Sequence, residues 1–230
     1  MNEITREQLT GQDQGHLDAD SLSVALHRSV IGPWQALVED ARIEGFDLVV
    51  ASSFRSFDRQ ALIWNAKANG QRPVLDDQDN PIDIKQLDAW ELLQAILRWS
   101  AIPGASRHHW GTDIDVYDRS TVESDYVPQL IQAEVSQGGP FEPLHEWLDE
   151  YIAKGHSHGF FRPYQNDFGG VAPERWHLSY APLSKLFQQQ LSLEILKPLW
   201  RNLAFGAVAE QYAEEIYRTY IAVPWSEYPE

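Results

Sequence analysis

The sequence predicts an α+β fold built as one domain. Apolar residues recur at helical spacing in several segments, short β-rich runs lie between them, and the two kinds of segment show no regular βαβ alternation. The chain has 230 residues, of which 43% are hydrophobic and 23% are charged, so it is long enough to bury a sizeable core. No linker divides it. We therefore expect a single domain over 21–230, with its C-terminal helices included, after a polar and flexible segment over 1–20.

Proline and glycine mark the predicted boundaries in the first half of the chain. Pro33 suits a first helical turn, apolar residues follow at helical spacing, and Gly45 suits the position after the last turn. The run FDLVVA over 46–51 indicates a buried strand, and 57–69 predicts a second helix. Prolines, a glycine and several acids over 70–83 predict a loop, which is either a lid or a solvated surface insertion.

The second half of the chain continues this mixture. Apolar positions over 84–99 predict a helix that ends before Pro103 and Gly104, and alternation over 112–118 predicts a strand. The remaining predicted elements are a helix over 143–154, a strand over 175–180 and a mostly helical stretch over 183–220, interrupted near Pro198 and Gly206.

Composition argues against several classes of function. Asp and Glu number 34 against 18 Lys and Arg, and the resulting net charge of −16 repels phosphate backbones and anionic lipids. We therefore expect no nucleic-acid partner. The chain has no cysteine, which excludes thiolate nucleophiles and Cys-based zinc sites. No apolar run is long enough to span a membrane, and no signal peptide is visible, so the sequence by itself suggests the cytoplasm.

The segment SRHHWGTDID, over 106–115, concentrates polar side chains where packing does not need them. Because side chains alternate along a strand, Asp113 and Asp115 share one face. Gly111 permits a tight turn just before the strand, so a histidine on the preceding loop can meet Asp115. An ordinary solvated strand face explains this segment equally well when it is taken alone.

Two other segments add candidate groups. In ERWH, over 174–177, His177 could bind a metal while Glu174 stays unligated and handles a metal-bound water; a surface Glu and a half-buried His are the alternative. In SSFRSFDRQ, over 52–60, Arg55 directly follows a predicted strand. Its guanidinium offers a fixed fork of donors that suits a carboxylate, and a structural ion pair is the alternative.

Together these segments resemble the zinc D-alanyl-D-alanine carboxypeptidase family, the VanY-like peptidases related to VanX and to L-alanyl-D-glutamate endopeptidases. The shared pattern is Ser-x-(aromatic)-Arg-Ser, then Ser-x-His-x-x-Gly-x-x-x-Asp, then Glu-x-Trp-His, and it covers 49–180. The resemblance implies a hedgehog/D,D-peptidase-like domain in which helices cover one side of a small antiparallel sheet. This chain departs from the family at Asp113, where a small apolar residue is common.

The resemblance also implies a role for each matching residue. Glu174 would be the general base, and Arg55 would polarise the scissile carbonyl or hold the substrate. Ser106 and Gln60 would help to bind the peptide and its C-terminal carboxylate. Three residues would bind Zn²⁺: His108, Asp115 and His177.

Two imidazoles and one carboxylate leave a fourth zinc position open, as in catalytic sites. We therefore expect a zinc D,D-carboxypeptidase that acts on peptidoglycan stem peptides, which would place it on the periplasmic or cell-wall side despite the absence of a visible signal. A D-Ala-D-Ala dipeptidase or an L-Ala-D-Glu endopeptidase is an alternative, and 70–83 and 119–140 would shape the groove that decides between them. A silent zinc-binding module would be expected to lose Glu174 or Arg55, and a metal-free binder would use Trp110 and Trp176.

The remaining histidines offer weaker candidates. Neighbours on an extended segment point in opposite directions, so only one of His108 and His109 would reach a metal, and the motif favours His108. His156 and His158 form a His-x-His pair between glycines. A second metal site there is less expected than exposed loop histidines.

Overall fold

A four-stranded antiparallel sheet lies at the centre of the computed structural model, which describes residues 4–18, 20, 22 and 24–229. Its strands run in the order β3-β4-β6-β5, and β1 and β2 form a separate antiparallel pair. The predicted α+β class is therefore confirmed. The strands are β1 (Leu17–Asp18), β2 (Leu26–His27), β3 (Leu48–Ser52), β4 (Asp113–Asp118), β5 (Phe160–Phe161) and β6 (His177–Tyr180).

The described part of the chain also contains ten α-helices and several short 3₁₀ turns, and a π-helical turn, Tyr217–Ile221, follows the last helix. No helix in this part combines the length and the apolar character needed to cross a membrane. The helices are α1 (Arg6–Leu9), α2 (Ile31–Ile43), α3 (Phe57–Ala68), α4 (Ala89–Leu97), α5 (Gln132–Val135), α6 (Glu142–Ala153), α7 (Ala181–Gln190), α8 (Leu193–Trp200), α9 (Gly206–Gln211) and α10 (Ala213–Ile216).

Local capping explains where the structure departs from the predicted boundaries. The single helix predicted over 84–99 is instead a 3₁₀ turn, Ile84–Gln86, followed by α4. The two separate because the Asp88 carboxylate accepts hydrogen bonds from the backbone N–H groups of Trp90 and Glu91, which starts a new helix. In the C-terminal stretch the break at 201–205 falls after Pro198, which stays inside α8.

One face of the sheet packs on helices and the other is left for polar groups. Ile114 and Val116 on β4 are fully buried in a cluster that includes residues of α2 and α6, as alternation along the strand predicts. Asp113 and Asp115 point to the opposite face. The sheet therefore presents a row of carboxylates on one side while its other side anchors the core.

The N-terminal segment packs against the turn that precedes β4. Leu9 is buried, its carbonyl accepts a hydrogen bond from Trp110 Nε1 at 3.0 Å, and the carbonyl of Gly11 accepts one from the Phe57 N–H at 2.8 Å. These contacts connect Leu9 and Gly11 to the rest of the fold within the segment for which we predict flexibility. That flexibility in solution stays a prediction.

Candidate metal centre

A single 3₁₀ turn, Arg107–Trp110, places the first candidate ligand. Ser106 precedes the turn and Gly111 ends it with a φ of 68°. A Cβ at Gly111 would lie 2.5 Å from Leu17 Cδ2 and 2.8 Å from the His27 nitrogen, so only glycine fits both the backbone angle and the space. The turn brings His108 beside the start of β4.

Sheet register brings the other two candidate ligands together. Asp115 on β4 is the direct cross-strand partner of His177 on β6. His108 Nε2 lies 3.3 Å from Asp115 Oδ2, and His177 Nδ1 lies 3.2 Å from Asp115 Oδ1. All three residues are buried, and one ligand atom from each lies within 4.8 Å of the others. Residues separated by up to 69 positions thus form one group able to hold a metal ion.

Hydrogen bonds to one nitrogen of each imidazole determine which nitrogen faces the other candidate ligands. His108 Nδ1 lies 3.0 Å from the Ser53 carbonyl, which can only accept, so Nε2 is the free ligand atom. His177 Nε2 lies 3.0 Å from Asp113 Oδ1, so its Nδ1 is the ring nitrogen that faces Asp115 and Glu174. Such outer contacts are typical of metal-binding histidines because they set the tautomer and the ring orientation.

The electrostatics of the group favour a positive charge between its members. Burial alone would raise the pKa of Asp115, but His108 and His177 hold it well below its ordinary value. Burial alone would lower the pKa of His177, but hydrogen bonds to Asp113, Asp115 and Glu174 raise it well above its ordinary value. Asp115 Oδ1 is buried, and in the described part of the chain its one close polar contact is His177 Nδ1 at 3.2 Å, so the oxygen is available to a cation that lies between the two residues. Two imidazoles and one carboxylate fit zinc by ligand type.

A buried ion pair supports His177 from behind. Asp113 is fully buried and accepts a hydrogen bond from Arg107 Nε at 2.7 Å on the same oxygen that faces His177. Burial opposes its charge, but Arg107 holds the pKa of Asp113 well below its ordinary value. The sequence predicts the face of β4 on which Asp113 lies and marks it as a departure from the family pattern, but it does not predict the pair with Arg107. The other groups that bind the Arg107 guanidinium are Ser179, Gln188 and Tyr228.

Glu174 stands next to the three-residue group without joining it. Its Oε2 lies 3.4 Å from His177 Nδ1, and 12% of its side chain is exposed. A turn fixes this placement, because the His177 N–H donates to the Glu174 carbonyl at 3.1 Å. A carboxylate so placed can exchange a proton with a molecule bound beside the group.

Arg55 is held in the cavity wall by neutral groups. Its Nη1 donates to Gln60 Oε1 at 2.9 Å and its Nη2 to Ser52 Oγ at 3.0 Å. Gln60 is fully buried, and its own Nε2 donates to the Ala101 carbonyl at 2.6 Å. Both ends of the Gln60 amide are therefore occupied. Gln60 thus contacts Arg55 and is not among the residues that line the cavity, and its role in substrate binding stays a prediction.

His109 turns away from the metal centre. It is fully buried, its Nδ1 lies 2.6 Å from the Arg55 carbonyl, and its Nε2 accepts a hydrogen bond from the Gly104 N–H at 3.1 Å. Burial lowers the pKa of His109 to about 3, so the ring is neutral. In the other predicted pair of histidines, His158 Nε2 contacts Asp40 Oδ2 at 2.5 Å.

A cavity of about 290 Å³ opens onto these groups. Ser106 and Trp176 line it, whereas Trp110 is buried in the core against Phe187 and is not available to a ligand. Both segments predicted to shape the groove contribute to its wall, and they are joined by the Gln132 N–H donating to Asp79 Oδ2 at 3.0 Å. The residues from these segments are Arg72, Leu75, Asp79, Gln129 and Leu130.

Comparison with known proteins gives one consistent pattern. The family model VanY, described as D-alanyl-D-alanine carboxypeptidase, matches residues 23–183. An uncharacterized protein of Haemophilus influenzae is 46% identical over 103 residues, which are 43% of this chain and 70% of that protein. A D-alanyl-D-alanine carboxypeptidase of Enterococcus faecalis is 26% identical over 171 residues, which are 71% of this chain and 53% of that relative. The solved structure of VanYB in complex with D-Alanine-D-Alanine shares the fold, with a TM-score of 0.51 and 22% identity over 81% of this chain and 88% of that one.

Proposed function

This chain belongs to the VanY family of D-alanyl-D-alanine carboxypeptidases, and from that premise we propose that it is a zinc-dependent D,D-carboxypeptidase. Its substrate would be a peptidoglycan stem peptide, from which it removes the terminal D-alanine. The observation that carries the proposal is the buried group His108, Asp115 and His177, with the unligated Glu174 beside it in a cavity. A closed structural zinc site more often has four protein ligands.

The protein's own residues divide the chemistry among them. When bound at the three ligands, zinc would supply Lewis-acid polarisation of the scissile carbonyl and activation of the attacking water. Glu174 takes the proton that water releases as its oxygen bonds to the carbonyl carbon. It then delivers that proton to the amine nitrogen as the C–N bond breaks. One carboxylate thus serves both proton transfers.

Arg55 acts on the charge that develops on the substrate. Its guanidinium is fixed by Ser52 and Gln60, so it needs no reorganisation when negative charge appears on the carbonyl oxygen. Burial lowers the pKa of Arg55, while Asp115 and Glu174 oppose that shift, and the group stays charged at neutral pH. Asp115 and Glu174 therefore compensate Arg55 without forming an ion pair that would block it.

Retention of both Glu174 and Arg55 argues against a silent zinc-binding module. Such a module needs neither a proton acceptor nor a fixed guanidinium, yet this chain keeps Glu174 beside the ligands and Arg55 in the cavity wall. Zinc binding alone would be served by the three ligands and their outer hydrogen bonds.

The test is hydrolysis with and without metal. The purified protein is incubated with a pentapeptide ending in D-Ala-D-Ala and, separately, with free D-Ala-D-Ala, and the products are identified by mass. We expect one D-alanine to leave the pentapeptide, the reaction to stop with a chelator and zinc to restore it. Cleavage confined to the free dipeptide would make the protein a dipeptidase. Cleavage that ignores the chelator would refute the metal mechanism.

A further inference from the structure

Three cations line the cavity without a carboxylate partner. Arg55, Lys67 and Arg72 all face it, and in the described part of the chain none of them forms a salt bridge. This is unexpected in a chain with 34 acidic and 18 basic residues. Elsewhere the acids do pair with arginines, as in Arg98 with Asp167 at 2.6 Å. Asp79, Asp115 and Glu174 also line the cavity, so carboxylates compensate these cations at longer range and not by direct contact.

Lys67, like Arg55, is held in place by a hydrogen bond to a neutral side chain. It lies near the end of α3, is half-buried, and donates from Nζ to Ser100 Oγ at 2.7 Å. Burial lowers the pKa of Lys67 to about 8; Glu174 opposes that shift, and Arg72 adds to it. A buried ammonium is unfavourable unless an anion compensates it. The protein supplies a hydroxyl at this point and no carboxylate.

The remaining cavity groups leave room for an anion to come from the substrate. Arg72 is exposed at the rim, just beyond the end of α3. Asp79 also lines the cavity, but one of its carboxylate oxygens is already bound to the Gln132 N–H. Gln60, the residue expected to hold a substrate carboxylate, is turned inward onto Arg55. Lys67 is therefore a further candidate for carboxylate binding beside Arg55 and Ser106, because its ammonium lines the cavity and makes no salt bridge in the described part of the chain.

We propose that Lys67, assisted by Arg72 at the rim, binds a carboxylate of the peptide substrate and so determines which peptides the enzyme accepts. This inference rests on the proposed function and deepens it. The carboxylate has two sources, the C-terminus of the peptide or an acidic residue within it. Both use the same chemistry, a charge-assisted hydrogen bond from the Lys67 ammonium.

Binding measured without turnover separates this inference from catalysis. The zinc-loaded Glu174→Ala protein, with and without Lys67→Met, is titrated calorimetrically with three pentapeptides that end in D-Ala-D-Ala. The first has a free C-terminus and one internal acidic residue, the second has its C-terminus amidated, and the third has its side-chain carboxylate amidated. For the first peptide we expect Lys67→Met to weaken binding about 10- to 100-fold, as loss of a charge-assisted contact predicts.

The effect of Lys67→Met should vanish for one of the two amidated peptides. Loss of the effect with the amidated C-terminus identifies the terminal carboxylate, and loss with the amidated side chain identifies the internal one. Lys67→Arg, which keeps the charge, should bind the first peptide within about fivefold of the parent. Lys85→Met is the matched control, because Lys85 is an exposed lysine outside the cavity, and it should bind like the parent.

Two results would overturn the proposal. One is an equal loss of binding to all three peptides, which would make Lys67 a structural residue; the other is no loss with any of them. Thermal unfolding of each variant checks that the fold persists. Failure of the proposed function looks different: the wild-type protein would release no D-alanine while binding of the free-acid peptide still depended on Lys67.

Discussion

Replacing Asp113 by Asn tests whether the buried ion pair behind His177 contributes to metal binding. Arg107 Nε and His177 Nε2 both reach the same carboxylate oxygen, at 2.7 and 3.0 Å. The other oxygen accepts from Thr112 Oγ1 at 2.6 Å. An Asn side chain can keep its oxygen toward Arg107 and His177 and its NH₂ toward the Thr112 hydroxyl. Asp113→Asn therefore removes a charge and leaves the hydrogen-bond geometry nearly intact.

The size of the effect follows from what that charge does. A carboxylate behind a ligating histidine raises the basicity of the ring, and its loss typically weakens metal binding about 10- to 100-fold, or about 1.4–2.7 kcal/mol. The same change leaves the Arg107 cation buried without a carboxylate, which costs about 3–5 kcal/mol in comparable cases. Ser179, Gln188 and Tyr228 still accept from Arg107, so we expect the lower end of that range.

Two measurements separate the metal effect from the stability effect. The zinc dissociation constant is obtained by competition with a chromophoric chelator, and the free energy of unfolding by urea titration of the metal-free protein. Asp118→Asn is the control. Asp118 is also a buried carboxylate on β4, but it lies at the end of the strand away from Asp113 and accepts a hydrogen bond from the Asp47 N–H. We expect this control to lose stability and to bind zinc as the wild type does.

The outcome that contradicts the reasoning is specific. If Asp113→Asn binds zinc with wild-type affinity while its free energy of unfolding falls, the Arg107–Asp113 pair is only a folding element. If the control loses as much zinc affinity as Asp113→Asn, the effect comes from general destabilisation of β4.

Four further changes address the remaining groups. Glu174→Ala should lower turnover by about 10²–10⁴ with zinc still bound, because a general base is lost; unchanged turnover removes Glu174 from the mechanism. His177→Ala should abolish tight zinc binding and activity, and an unchanged metal stoichiometry would exclude His177 as a ligand. Arg55→Lys should lower kcat and leave Tm nearly unchanged, because a point charge cannot replace the guanidinium fork; normal kinetics would exclude Arg55 from the mechanism. Burial holds the pKa of His109 at about 3 in the folded protein, against about 6.5 in the unfolded chain, so the unfolded state takes up a proton first as the pH falls. From this residue alone the free energy of unfolding should fall by about 1.4 kcal/mol per pH unit below pH 6.5, and His109→Gln should show a shallower slope in urea titrations at pH 7 and 5.

Short-range patterns in the sequence were sufficient to predict the elements that carry the site. Alternation over 112–118 predicts that Ile114 faces the core and Asp115 the opposite side, and the structure shows this arrangement. The turn at Gly111 follows from the local sequence in the same way. These features depend on a few neighbouring residues, so they can be predicted from the local sequence without knowledge of the fold.

Features that depend on distant packing were not predictable. The Arg107 guanidinium, which donates to Asp113, also donates to Gln188 and Tyr228 from the C-terminal part of the chain. The family resemblance implies substrate binding for Gln60, yet its amide Nε2 donates inward to the Ala101 carbonyl. Nothing in the sequence near either residue indicates these contacts.

His108 and His109 connect the candidate metal centre to the part of the cavity wall that carries Arg55. His108 Nδ1 contacts the Ser53 carbonyl at 3.0 Å, and His109 Nδ1 contacts the Arg55 carbonyl at 2.6 Å. Both rings of one 3₁₀ turn thus hold alternate carbonyls of the segment that follows β3, and the Arg55 N–H donates back to the His108 carbonyl at 3.1 Å. Hydrogen bonds therefore join the segment that carries the proposed zinc ligand His108 to the segment that carries Arg55. Because a 1 Å misplacement can cost about 10²-fold in rate, substitutions at His109 should act on catalysis through Arg55 while the zinc ligands stay complete.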